Sequence, residues 1–189
     1  MKQSIIIVLL NFLLSTSMII NSTDYDNWVY INLSLGSVVD PGDSPEDNLG
    51  WDIACQRYHF RTNSGLSGPG DGGAYMADND WNCLNFEIFS SVPKNITFIV
   101  DSMLTNIYQP WAHEDENTAY TEKPGSTVLE NWGWFDIDDS YYFYYTHKQF
   151  IVKLPENRGY IKLWPYQYYG ELGKSAHITL MYDFIEESN

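Results

Sequence analysis

Four histidines and two cysteines are the side chains best suited to ligate metal or react in this chain. His59 follows a run that reads as a strand, and His177 opens another in Ser175-Ala-His-Ile-Thr-Leu. Both read as structural. His113 lies in a long polar stretch just after Trp111, and His147 follows the run Tyr141-Tyr-Phe-Tyr-Tyr145. Two loop imidazoles beside aromatic surface can ligate a haem iron from opposite faces while rings pack the macrocycle. Hydrated surface histidines look the same in a sequence, and the residues alone favour that simpler reading. Cys55 and Cys83 sit on separate predicted strands, and in an exported chain a disulfide between them is expected. The other reading is a pair of buried free thiols.

Other chemistry is weaker. The segment Gly65-Leu-Ser-Gly68-Pro-Gly70-Asp-Gly-Gly73 lacks the Gly-Lys-Ser/Thr ending that a phosphate loop needs, and Asp71 opposes an anion. It reads as a structural loop. Asp78-Asn-Asp80-Trp-Asn82 spaces oxygens as a calcium loop begins, but Cys83 and Phe89 stand where that loop needs Gly and Glu. The cluster Asp136-Ile-Asp138-Asp139 is spaced no better. Paired carboxylates for sugar hydrolysis are defined in space, so 25 acids say little about them. No Gly-x-Ser-x-Gly elbow and no His-Glu-x-x-His pair occurs. The expectation is a protein that binds, with no catalysis.

These residues must be held by strands. The chain of 189 residues carries 7 Trp, 15 Tyr and 9 Phe, so 16% of it is aromatic. Aromatic residues favour strands, and alanine, which favours helices, is scarce. Alternation predicts strands over 28–35, 51–58, 149–154, 160–166 and 177–184. Residues 103–108 read as a strand or a helical turn, and 111–132 as a long irregular loop. The expected fold is all-β, a single domain of short antiparallel strands joined by long loops.

The first residues read differently. Lys2, an apolar run from Ile5 to Leu14 broken at Asn11, and the small Ser15-Thr-Ser17 have the form of a secretory signal. The run is shorter than the roughly 20 residues that span a bilayer. Residues 1–22 are therefore expected to be signal and polar leader, and 23–189 the β-domain. The formal net charge of −15 argues against nucleic acid, whose phosphates draw on clustered Lys and Arg.

Several blocks in order resemble the HmuY family of bacterial haem-binding proteins. They are Trp51-Asp-Ile-Ala54 with Arg57 and Arg61-Thr-Asn63, then the glycine loop ending Gly-Gly-Ala. Near the C-terminus come Phe150-Ile-Val-Lys153, Tyr160-Ile-Lys-Leu163, Tyr168-Tyr169 and Gly173-Lys-Ser-Ala-His177-Ile-Thr179. The resemblance implies an all-β haemophore that takes haem, free or from host haemoproteins, to a TonB-dependent outer-membrane receptor. It implies two axial side chains on the iron, here His113 and His147, with Met103 or Met76 as substitutes. Trp111, Tyr142 and Tyr144 are the expected pocket walls. The chain departs from the family at Cys55-Gln56, and it lacks the lipoprotein cysteine common in the group. Its expected location is periplasmic, outer-membrane-associated or secreted. The second reading is a secreted carbohydrate-binding β-domain, in which exposed Trp and Tyr stack on sugar rings. The third is a glycosidase-like enzyme.

Overall fold

The computed structural model describes residues 15–76, 90–110, 119–136 and 141–188. The described chain is all-β, and its helical pieces are single 3-10 turns such as Leu129–Trp132. In chain order the strands are β1 (Thr16–Asn21), β2 (Val29–Asn32), β3 (Ser37–Val39), β4 (Ile53–Gln56), β5 (His59–Thr62), β6 (Gly73–Met76) and β7 (Ser91–Val92). They continue as β8 (Ser102–Tyr108), β9 (Tyr120–Gly125), β10 (Gly133–Phe135), β11 (Phe143–Tyr145), β12 (Phe150–Lys153), β13 (Tyr160–Gln167) and β14 (His177–Glu187). The largest sheet runs β1-β14-β13-β12-β6, with β7 added to β14. A second sheet runs β3-β2-β4-β5, and two hairpins, β8-β9 and β10-β11, stand apart from both.

The main core lies between these layers. Ile178, Leu180, Ile161 and Leu163 from β13 and β14 pack into the same cluster as Ile31, Ile53 and Phe60 from the second sheet. The alternation that predicts β14 is the alternation that buries it: His177, Thr179, Met181 and Asp183 face away from Ile178, Leu180 and Tyr182. Trp132 closes one end, fully buried, with its Nε1–H donating to the Tyr58 carbonyl at 2.8 Å. Arg158 ties the two layers. It is 2.9 Å from the carboxylate of the fully buried Asp52, and it donates to the Leu49 carbonyl at 2.9 Å.

The glycine segment is structural, as its composition implies. It wraps around Asn63, whose Oδ1 accepts from Gly70 N–H at 3.0 Å and whose side-chain amide holds the Trp51 carbonyl at 2.9 Å. Gly65 has φ +56°, and a Cβ there would meet the Asp101 carbonyl oxygen at 2.2 Å. No other residue fits that position.

Two expectations need correction, and a third region carries structure of its own: Thr16–Asn21, within the expected signal and leader, form β1. β1 pairs antiparallel with β14, Ile20 is fully buried, and Ser22 Oγ donates to the Arg57 carbonyl at 2.7 Å. The expected Cys55–Cys83 disulfide is not formed at Cys55, which is a free thiol in the main core. Its Sγ lies 3.5 Å from the Arg57 carbonyl, and burial pushes its pKa far up, as expected where a thiolate would be poorly solvated. Cys83 and the calcium-like segment 78–82 lie outside the described residues. Finally, the stretch 111–132 is not all loop, since it contains β9 and the Leu129–Trp132 turn.

Candidate functional site

A pocket of about 370 Å³ opens where five parts of the chain meet. One wall is the β8-β9 hairpin, on which Tyr108 and Tyr120 face each other across the strand pair with ring centroids 5.7 Å apart. Tyr25, from the segment between β1 and β2, packs edge-on against Tyr108 at 6.0 Å. Another wall is the β10-β11 hairpin, which contributes Phe135 and, beyond it, Tyr141. The connection from β13 to β14 contributes Tyr168, Tyr169 and Ser175. The β4-β5 turn provides Arg57, Tyr58 and His59. These rings form one packed system. Tyr58 meets Phe135 at 5.3 Å, Phe135 meets Tyr168 at 5.1 Å, and Tyr168 stacks on Phe143 at 4.8 Å.

The polar groups of the pocket are few and placed. His59 is 1% exposed, and its Nδ1 is 2.9 Å from a Glu130 carboxylate oxygen. Asn106 donates to the same oxygen at 3.3 Å. In a neutral ring, a carboxylate on Nδ1 makes that nitrogen the N–H and leaves the lone pair on Nε2, the arrangement that orients ligating imidazoles. The Tyr58 ring is tilted 36° to the His59 ring, with centroids 3.9 Å apart. The Arg57 guanidinium sits 4.2 Å above the Tyr25 ring, and its Nη2 donates to the Tyr168 hydroxyl at 3.1 Å. Burial pushes the Tyr58 and Tyr168 phenols above their ordinary values, so the walls stay neutral.

None of the described residues expected from the sequence lines this pocket. Trp111 and His113 lie outside the described residues, between Gln109 and Ala119, and the pocket-lining Tyr108 and Tyr120 flank that segment. His147 does not line the pocket. Its ring stacks on Tyr145 at 6.0 Å and meets Trp164 at 6.5 Å, and its Nδ1 is buried with no hydrogen-bond partner among the described residues. Tyr142 is 65% exposed, and Tyr144 stacks outward on Trp134 at 5.8 Å. Alternation explains this, because Phe143 takes the inner face of β11 and so turns Tyr144 away. Met103 is exposed on β8. Met76 packs against the core, with Lys148 Nζ 3.4 Å from its sulfur.

Sequence reasoning missed Tyr25, Arg57, Tyr58, Tyr108, Tyr120, Phe135, Tyr168 and Tyr169 as pocket residues, and it read His59 as structural. They come from segments far apart in the chain. The available signal was Tyr168-Tyr169 and Arg57, each quoted inside a block of resemblance and given no role.

A family model described as HmuY protein matches residues 24–182. No curated protein matches the chain. Among solved structures, a candidate HmuY-like heme-binding protein of Bacteroides vulgatus shares 23% identity and a TM-score of 0.68, over 89% of this chain and 90% of that one. The apo HmuY analogue of Tannerella forsythia shares 18% and a TM-score of 0.68, over 90% and 95% of the two chains. A candidate lipoprotein of Bacteroides fragilis shares 21% and a TM-score of 0.67, over 89% of each. At these identities the likeness establishes the fold.

Proposed function

Because the chain belongs to the HmuY family, as its match over residues 24–182 shows, we propose that it is an exported haem-binding protein with no catalytic role. The observation that carries this reading is the pocket. Eight aromatic side chains converge on it with one guanidinium and one carboxylate-backed imidazole. That set fits a porphyrin. Flat apolar rings face flat rings, a cation meets carboxylates, and an imidazole nitrogen is a ligand for iron. Bound haem would supply the iron whose open axial positions such side chains fill.

His113 and His147 are the proposed axial pair, with Met103 or Met76 as substitutes. The position of His113 in the chain, between the pocket-lining Tyr108 and Tyr120, supports it. The unpartnered buried Nδ1 supports His147. His59 is a third candidate, because it lines the pocket itself. Trp111, Tyr142 and Tyr144 remain proposed as outer walls. Delivery to a TonB-dependent outer-membrane receptor, capture from host haemoproteins, and a periplasmic, outer-membrane-associated or secreted location belong to the same proposal.

Haem titration followed by visible spectra tests it. The wild type is expected to give a Soret shift, and His113→Ala, His147→Ala and His59→Ala are expected to divide into ligands and bystanders by the loss of a low-spin spectrum. No Soret change in the wild type would sink the function, whereas an unchanged spectrum in one variant removes only that ligand. A second reading, carbohydrate binding, has its own support. Trp134 and Tyr144 form an exposed stacked pair, 47% and 41% accessible, with Tyr142 beside them. A positive glycan array without haem binding would favour it.

A further inference from the structure

Arg57 and Tyr58 are the two residues of the turn between β4 and β5, which the Gln56–His59 pair closes. Two-residue hairpin turns place glycine where φ is positive. Arg57 occupies such a position with φ +54°. A large side chain is uncommon in that backbone conformation, and here the turn carries the guanidinium into the pocket lining.

The guanidinium is held on several sides. Nη1 donates to the Thr23 carbonyl at 3.0 Å, and Nη2 donates to the Tyr168 hydroxyl at 3.1 Å and to Ser175 Oγ at 3.4 Å. The Tyr25 ring lies beneath it. Each of these acceptors is neutral. Among the described residues Lys153, Arg158 and Lys162 have carboxylate partners, whereas Arg57, like Arg61 and Lys123, hydrogen-bonds to neutral groups. Of these three, Arg57 is the one that lines the pocket. A part-buried guanidinium among aromatic rings gains most from a charged acceptor, which it can bind through two N–H groups at once.

We propose that the pocket is a receptor for planar aromatic anions and that Arg57 pairs with the anionic group of the ligand. The proposal deepens the haem reading, since a porphyrin bearing carboxylates is one member of this class. It rests on that reading only for the location of the ligand site, and it is tested with a ligand other than haem.

The test uses the full mature chain and two fluorescent probes of one shape, 1-anilinonaphthalene-8-sulfonate and the neutral N-phenyl-1-naphthylamine. The wild type is expected to prefer the sulfonate by about tenfold or more, the worth of one charge-assisted pair. Arg57→Gly and Arg57→Gln are expected to lose that preference and keep their affinity for the neutral probe. Glycine suits the backbone at this turn, so Arg57→Gly folds, and near-ultraviolet circular dichroism checks both variants. Equal affinity of the wild type for the two probes, or a preference that survives both substitutions, overturns the proposal. A Soret response to haem without any anion preference leaves the haem reading and removes this one. An anion preference without a Soret response does the reverse.

Discussion

Asp101 shows how much a single buried residue can govern. It is 2% exposed, its carboxylate accepts from Thr62 N–H at 2.8 Å and from the Thr62 hydroxyl at 2.7 Å, and its carbonyl anchors the glycine segment. Burial outweighs these bonds and pushes its pKa up to about 6. The folded state therefore holds the proton at a pH where the unfolded chain has released it. The contribution of this group to stability is fully present below pH 4, falls as pH rises to 6, and stays low above. In Asp101→Asn that loss is absent. The stability gap between wild type and variant is expected to shift by up to about 3 kcal/mol between pH 4 and 6.5 in urea melts. A gap that does not move with pH refutes this. None of it was legible in the sequence, where Asp101 precedes Ser102 without pattern. Burial of a carboxylate is set by chain segments that meet only in the fold. His59 was equally hidden, because Glu130, its partner, is 71 residues away.

At the scale of elements, β1 is the test. A chain beginning at residue 23 loses the Ile20 side chain from the core and the Ser22 hydrogen bonds to the carbonyls of Arg57 and Ala176. Compared with a chain beginning at residue 16, it is expected to be less stable by about 3 kcal/mol, or roughly 6–12 °C in Tm. It also leaves β14 as a bare edge, so aggregation should rise with concentration. Equal melting temperatures would show that β1 is dispensable. The strands that were legible, β2, β4, β12, β13 and β14, have an alternating or continuous apolar run. β1 was not, since its Met18-Ile-Ile20 continues the apolar run of the expected leader. β9 was not, because Thr121-Glu-Lys-Pro124 is polar and carries a proline. Its pairing with β8 and not its own pattern makes it a strand.

For the whole molecule, the excess of acids sets how a ligand arrives. A surface of net charge −15 repels an approaching anion over about a Debye length, whereas Arg57 acts only at contact. Added salt should therefore raise the association rate of an aromatic anion and raise its dissociation rate as the close pair weakens. Stopped-flow fluorescence between 20 mM and 500 mM salt separates the two. An association rate that falls with salt would show that the pocket mouth is electropositive at range. The acidity was legible from composition alone, but the place of the pocket's guanidinium was not, because only the fold brings Arg57 beside Tyr168. One consequence of the β1-β14 pairing concerns orientation. Thr16 lies beside Tyr182, and Asn21 lies beside His177, next to the segments that carry Tyr25 and Ser175 to the pocket. The two ends of β1 are about 17 Å apart at the usual strand rise. The chain therefore enters the sheet at Thr16, on the end of β1 away from the pocket, and reaches the pocket's side at Asn21.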